Sequence, residues 1–307
     1  MTKVLVATVK PFAAAAVNGI REVVEGAGYE MALLEKYASQ QDFIDAVADA
    51  DAVIIRSDKA DADVIAAAKN MKIIVRAGAG YDNVDLKAAS AKGIVVMNTP
   101  GQNSNAVAEL ALGMMVYMAR KQLNGTSGTE LKGKKLGIHA YGHVGALVAK
   151  IAKGFGMECY AFDPFIKKED IEKDGVIALD TVEELYSQCQ YISLHIPANE
   201  KTKASINSKL MSLMPEGATL VNTARKEVIC EDSLLKTFAE RPDFIYISDI
   251  APDNKEEIAE KYEGRFFFTP KKMGAQTSEA NINAGIAAAE QIKAFLEHGD
   301  RTFQVNS

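Results

Sequence analysis

The sequence predicts an α/β chain built from two doubly wound parallel-sheet domains. Three observations carry that expectation. Short apolar runs of strand length alternate with amphipathic helical stretches along most of the chain, the pattern of a parallel sheet covered on both faces. The chain has 307 residues, too many for one typical core. Residues 135–163 then lay out a strand, a glycine-bearing turn, a helix, a second strand and a terminal acid in one run.

Val4–Val9 reads as the first strand, and Ala13–Ala27 as a helix whose Val17, Ile20, Val23 and Val24 share a face. Phe43–Val47 falls in another amphipathic helix. Ala52–Arg56, Lys72–Arg76 and Ile94–Asn98 read as buried strands, joined by short helices at Asp61–Lys69 and Asp85–Lys92. Ligands bind at the carboxyl ends of such strands. Arg56 with Ser57, and Arg76 with Ala77, Gly78, Ala79 and Gly80, stand at two of those ends. One such arginine alone reads as a surface ion-pair member; two beside a glycine-rich loop point to an anion site. Thr99–Pro100–Gly101 marks a break before a long helix from Ser104 to Arg120. Its face of Val107, Leu110, Ala111, Met114 and Met115 is apolar enough to bury against another domain or a second subunit, or simply in the core.

In the 135–163 run, Leu136–His139 is a strand, and the helix that follows carries Val144, Leu147, Val148 and Ile151 on its apolar face. Gly142 allows the backbone close to a pyrophosphate, Gly145 allows the helix close to the strand, and the helix N-terminus faces the negative charge. Cys159–Phe162 is the second strand, and it ends on Asp163. This is the layout of a dinucleotide-binding βαβ unit, with Asp163 placed to accept both ribose hydroxyls of NAD and to repel the 2′-phosphate of NADP. The first glycine of the usual triplet is Ala140, which is acceptable if the turn keeps φ negative there.

Alternation continues with helices at Thr181–Cys189, Asn207–Met214 and Glu231–Ala239. Strands at Tyr191–Ile196, Ala218–Thr223, Phe244–Ile250 and Arg265–Thr269 separate them. A last helix, Thr277–Leu296, is placed to return to the first domain.

A net charge of −6 argues against nucleic acid or an anionic membrane as the partner. Cys159, Cys189 and Cys230 lack ligand or disulfide spacing and read as reduced thiols of a cytoplasmic protein, with no metal site. The N-terminal apolar run is too short for a signal peptide, and no run is long enough to span a bilayer.

Two further stretches, RAGAGYDNVDLKAASAKGIVVMNTPGQNSNAVAELALGMM (Arg76–Met115) and SLHIPANEKTKASINSKLMSLMPEGATLVNTARKEVI (Ser193–Ile229), resemble the D-2-hydroxyacid dehydrogenases. The likeness runs nearly the full length and is greatest to the members acting on D-3-phosphoglycerate. It implies two Rossmann-like domains with the active site in the cleft between them. Residues 1–98 and 275–307 would be the substrate domain and 99–274 the NAD-binding domain. It further implies a small phosphorylated 2-hydroxy acid as substrate and a homodimer through the NAD-binding domain. By the same resemblance, Arg76–Gly80 forms a substrate-anion loop and Asn103 lies near the substrate. Arg225 clamps the α-carboxylate and polarises C2, a task suited to its planar fork. Tyr141, Gly142, His143, Val144 and Gly145 would surround the cofactor's phosphates, with Asp163 and Pro164 at its ribose. His195, Ile196, Pro197 and Thr202 would line the strand end beyond. Thr223, Ala224, Asp249, Lys271 and Gly274 would border the nicotinamide side.

The departures are specific. The family's T-P-H-I-G-G reads Thr269-Pro270-Lys271-Lys272-Met273-Gly274, so Lys271 stands where the acid/base histidine belongs. Asn254 replaces that histidine's partner carboxylate, and Lys226-Glu227 replaces a glycine pair after Arg225. A carboxylate beside a lysine holds its proton more tightly, away from the near-neutral range a base needs. Neutral Asn254 removes that obstacle, leaving Arg225, desolvation and the bound cofactor's positive charge to disfavour the ammonium. The basic Arg56, Arg76 and Lys272 favour a phosphorylated substrate. Two alternatives stay open: a family member acting on glyoxylate, hydroxypyruvate or D-lactate, and a non-catalytic NAD-binding regulator.

Overall fold

Strand and helix alternate through the first hundred residues as the apolar runs require. In the computed structural model, which describes residues 1–306, the strands of this region are β1 (Lys3–Thr8), β2 (Glu30–Glu35), β3 (Ala52–Ile55), β4 (Ile73–Arg76) and β5 (Val95–Asn98). Between them run α1 (Ala14–Gly26), α2 (Gln40–Val47), α3 (Ala62–Ala67) and α4 (Leu86–Ala91). Side-chain caps start three of these helices: Ser39 in a capping box with Asp42, then Asp61 and Asp85. All five strands are parallel, in the order β2-β1-β3-β4-β5. The order reverses between β1 and β3, which places a crevice at their carboxyl ends. The two-residue period of β1 sends Val4 and Val6 to one core and Leu5 and Ala7 to the other.

The next region is built around seven parallel strands. α5 (Ser104–Ala119) precedes β6 (Lys135–His139), α6 (His143–Gly154), β7 (Glu158–Phe162), α7 (Lys168–Glu172) and β8 (Ile177–Ala178). α8 (Val182–Gln188), β9 (Tyr191–Leu194), α9 (Ser208–Leu213) and β10 (Thr219–Asn222) follow. α10 (Glu231–Glu240), β11 (Ile245–Ser248), α11 (Lys255–Lys261) and β12 (Phe266–Phe268) complete the set. The sheet order is β12-β11-β10-β9-β6-β7-β8. Counted from its first strand this is the dinucleotide-binding order, with one strand added and the switch point between β6 and β9. Of the expected apolar face of α5, Ala111, Met114 and Met115 are buried with Ala108, Leu112 and Met118 in a core shared with α6 and β6, while Val107 and Leu110 are half-buried.

The chain then returns as α12 (Ser278–His298), capped by Thr277 at one end and by left-handed Gly299 at the other. Its Ala284, Ala288 and Ile292 pack with Ile20 and Val24 of α1 over the Val4–Val6 face of β1. The segment beyond it lies on the outer edge of β5. Val305 N donates to Val96 O, and the Asn306 side chain accepts from Val96 N while donating to Ile94 O. The compact units are therefore Met1–Asn103 with the chain from Gln276, and Ser104–Ala275.

Besides two short 3-10 turns, four strands and α-helices lie outside the sequence reading: β2, α7, β8 and α11. β2 is a sheet edge with no residue fully buried, and α11 buries only Ile258 among its charged residues. No helix among the described residues is long and apolar enough to cross a membrane.

Candidate active site

The turn between β6 and α6 is the first part of the site. Gly142 is the N-cap of α6, and a Cβ there would meet no protein atom within 4 Å, so packing does not explain the glycine. A Cβ on Gly145 would run into the Ala140 carbonyl oxygen and lie 3.0 Å from Ile138 Cγ2, so its absence brings the helix onto the strand. Ala140 has φ +79°, so the condition under which alanine would be acceptable is not met. The turn keeps the left-handed conformation glycine would supply and strains an alanine into it, a cost of about 1–2 kcal/mol. Tyr141 N donates to Asp163 Oδ2 at 2.8 Å, while Phe165 N and Ile166 N donate to Oδ1 at 2.8 and 3.1 Å. A carboxylate offers about four lone-pair positions, so roughly one remains for a ribose hydroxyl, not the two that the spacing implies. His143 and Pro164 are exposed, and Val144 begins the helix beside them. The open N-terminus, the empty space over Gly142 and the held acid fit a dinucleotide.

Across the switch point, His195 N donates to His139 O, joining the ends of β9 and β6. Burial pushes His139 down to about 4, against the opposing pull of Asp163, and burial beside His139 pushes His195 down to about 3. Both rings are thus neutral near pH 7, with Ser193 Oγ 2.9 Å from His195 Nε2. A cavity of about 340 Å³ opens here, lined by His139, Phe162, Ile196, Thr202, Ser205 and Leu210 among others. Thr202 Oγ1 donates to Pro197 O and accepts from Asn199 N, which shapes the loop bounding it. His139 had no place among the expected site residues; its position at the end of the strand before the glycine turn was the available signal.

The second part gathers at the ends of β10, β11 and β12. Asp249 is buried, and its carboxylate accepts from Thr269 Oγ1 at 3.0 Å, Met273 N at 2.7 Å and Gly274 N at 2.8 Å. One acid therefore fixes the turn that carries both lysines. Lys271 is exposed, so the protein alone does not desolvate it, contrary to the sequence argument. Asn254 Nδ2 donates to Glu231 O at 3.2 Å, and no hydrogen bond joins it to Lys271 among the described residues. Arg225 Nη1 donates to Ala224 O at 3.1 Å, and Lys272 Nζ donates to the same oxygen at 3.2 Å. Thr223 is buried beside them.

In the first unit the expected anion ligands are heavily engaged. Arg56 Nη1 donates to Lys10 O and Pro11 O at 2.9 and 3.0 Å, its Nη2 to Asn281 Oδ1, and its guanidinium lies 5.0 Å from the Phe12 ring centre. It works first as a brace between β3, the segment after β1, and α12. Arg76 Nε donates to Arg56 O at 2.9 Å, and its guanidinium lies over Gly78, where φ is +146° and a Cβ would collide with it. The Ala77–Ala79 loop is held by Asn98 Nδ2 on Ala79 O and by Thr99 N on Gly78 O. Ser57 and Ala79 are exposed, and Asn103 is half-buried. Asp58, absent from the expected set, accepts from Val9 N and Tyr37 Oη and so orders the crevice between β1 and β3.

Residues 6–306 match the model of the D-isomer specific 2-hydroxyacid dehydrogenase catalytic domain. The chain belongs to that family. It is 37% identical over 277 residues to D-3-phosphoglycerate dehydrogenase of Methanocaldococcus jannaschii, covering 84% of this chain and 52% of that protein. It is 36% identical over 285 residues to hydroxypyruvate reductase of Thermotoga maritima, covering 86% and 90% respectively. The crystal structure of NAD+-bound 3-phosphoglycerate dehydrogenase from Entamoeba histolytica is similar at 50% identity and TM-score 0.88, covering 100% of this chain and 99% of that one. The chain spans about half the length of several curated relatives it matches.

Proposed function

We propose that this family member oxidises D-3-phosphoglycerate to 3-phosphohydroxypyruvate with NAD, the opening step of a phosphorylated route to serine. The observation that carries the reading is the Thr269–Gly274 turn, fixed by buried Asp249 so that Lys271 stands on the same strand ends as Arg225. The full-length likeness to the Entamoeba enzyme supports it. In this reading the N-terminus of α6, with Gly142 exposed upon it, holds the cofactor's phosphates, and Asp163 accepts one ribose hydroxyl. NAD held there would supply the hydride acceptor for C2. Arg225 holds the substrate carboxylate with its guanidinium and keeps C2 oriented. The Lys271 amine takes the hydroxyl proton, and the neutral rings of His139 and His195 add no competing charge at the switch point. Asn254 Nδ2 donates to Glu231 O, and its Oδ1 is buried without a hydrogen-bond partner among the described residues.

One observation favours a second reading, reduction of an unphosphorylated acid such as hydroxypyruvate. Arg56 is spent on Lys10, Pro11 and Asn281, which weakens the case for it as a phosphate ligand, and the Thermotoga relative of matching length bears that name. The test is NADH formation with D-3-phosphoglycerate and with D-glycerate, for the native chain and Lys271→Met. A far higher kcat/KM for the phosphate ester supports the first reading, and equal values support the second. Lys271→Met should cut turnover roughly 10²–10⁴-fold while NADH affinity holds. If most turnover survives, the proton leaves by another group.

A further inference from the structure

We propose that Tyr141 and Asp174 form a positioning pair that holds the strained turn before α6 in the shape that receives the cofactor's phosphates. The inference rests on NAD as the cofactor and not on which 2-hydroxy acid the enzyme takes. Ala140 is held at φ +79°, where an alanine is unfavourable and a glycine is free. Nothing in its own side chain favours that state, so the surroundings must impose it. Ala140 N donates to Phe162 O, and the peptide group that follows is engaged at both ends. Its N–H, on Tyr141, donates to Asp163 Oδ2 at 2.8 Å, and its oxygen lies where a Cβ on Gly145 would strike it. Turning that peptide over would give up the Asp163 contact and move Gly142, the open N-cap of α6.

The Tyr141 side chain is the remaining hold. It is 6% exposed and belongs to the core that includes Ile171 and Val176. Its hydroxyl donates to Asp174 Oδ2 at 2.9 Å. Burial, and after it the hydrogen bond to Asp174, push the phenol well above its usual range, so it stays a donor near neutral pH. The acceptor is itself braced. Asp174 N donates to Ile171 O of α7, and Asp174 O accepts from Lys153 Nζ of α6. These bonds close a circuit, from Tyr141 to Asp174, to Lys153, and back along α6 to Gly142. The amide and the hydroxyl of Tyr141 are both engaged within the protein, so its effect on the cofactor runs through Gly142 and Asp163. A glycine at position 140 would not need the brace.

The experiment measures NADH affinity by titration calorimetry, with melting temperature as the check on folding. The native chain is compared with Tyr141→Phe, Asp174→Ala, the two together, and Tyr141→Phe combined with Ala140→Gly. Tyr141→Phe keeps the buried ring and removes only the hydroxyl. It should weaken NADH about fivefold to thirtyfold, the factor by which release of the strain depopulates the competent turn. The KM for NAD should rise in step, with kcat at saturating NAD within a few-fold. Asp174→Ala should match it, and the two changes together should cost no more than either, because they remove two ends of one bond. Ala140→Gly should restore most of the affinity lost in Tyr141→Phe, since glycine keeps the left-handed state unaided. Unchanged NADH affinity in Tyr141→Phe, even with a lower melting temperature, overturns the proposal. So do additive losses from Tyr141→Phe and Asp174→Ala, or a glycine double variant that binds as poorly as Tyr141→Phe. Absence of NADH binding in the native chain overturns the pair and the cofactor assignment together. Should NADH bind in a Tyr141-dependent way while D-3-phosphoglycerate is not oxidised, the pair stands and the substrate reading falls.

Discussion

Replacing His139 by phenylalanine should flatten the acid limb of the stability curve. His139 sits at the end of β6 with its ring 5.9 Å from that of Tyr186 and 6.1 Å from that of Phe162, so a phenylalanine keeps the shape of the contact. Burial lowers its folded-state value to about 4, against about 6.5 in the unfolded chain. A group whose folded value is depressed contributes stability that is complete above the unfolded value and is lost as pH falls toward the folded one. Protons bound by the unfolded state alone therefore erode stability between about pH 6.5 and 4. The full span is worth about 3 kcal/mol, of which about 2 kcal/mol is gone by about pH 5. That is a large share of a typical domain's 5–15 kcal/mol. The charged groups facing the ring are Asp163, which opposes the shift, and Glu183 and Lys201 across the same cavity; His195 is its titrating neighbour. The assay is urea unfolding at a series of pH values from about 8 to 5, scored as the pH slope of ΔG. Absolute stabilities are not comparable, because the Tyr186 hydroxyl loses its 3.4 Å partner in the variant. His195 still titrates, so the slope should shrink without vanishing. Parallel slopes for variant and native chain would refute the reasoning.

Asp163→Ala should narrow the preference for NAD over NADP at least tenfold, and should also lower the melting temperature because three backbone donors lose their acceptor; paired kinetics and calorimetry check both. Gly145→Ala should cost about 1–3 kcal/mol in urea unfolding, since the methyl meets backbone at Ala140 that cannot swing aside. Arg56→Met should destabilise the Met1–Asn103 unit more than it raises KM for a phosphorylated substrate; a rise in KM with unchanged unfolding would restore Arg56 as an anion ligand.

Periodicity exposed the strands buried on both faces, because β3, β4 and β5 are unbroken apolar runs with nothing else to become. It did not expose β2, whose glutamates and half-buried positions look like loop until β1 pairs with it. The glycine turn was legible as a nucleotide motif, but the sign of φ at Ala140 belongs to the turn and not to the residue. Arg56 and Asp163 were legible as charges at strand ends, while their occupancy was not. The Asn281 partner of Arg56 lies 225 residues away, and the donors to Asp163 are backbone amides that carry no letter in the sequence. Lys272 stood in view beside Lys271, and only the fold of the turn on Asp249 separates their surroundings.

The first unit is assembled from both ends of the described chain, whereas the second is one continuous stretch. That difference orders events on the ribosome. Ser104–Ala275 can close its seven-stranded sheet as soon as β12 has emerged, but β1 and α1 wait for α12 to cover them. Until then the Val4–Val6 face is apolar surface exposed to every neighbouring nascent chain, and the outer edge of β5 is an unpaired template. The Asn306 side chain, imitating a peptide group against Val96 and Ile94, closes that edge.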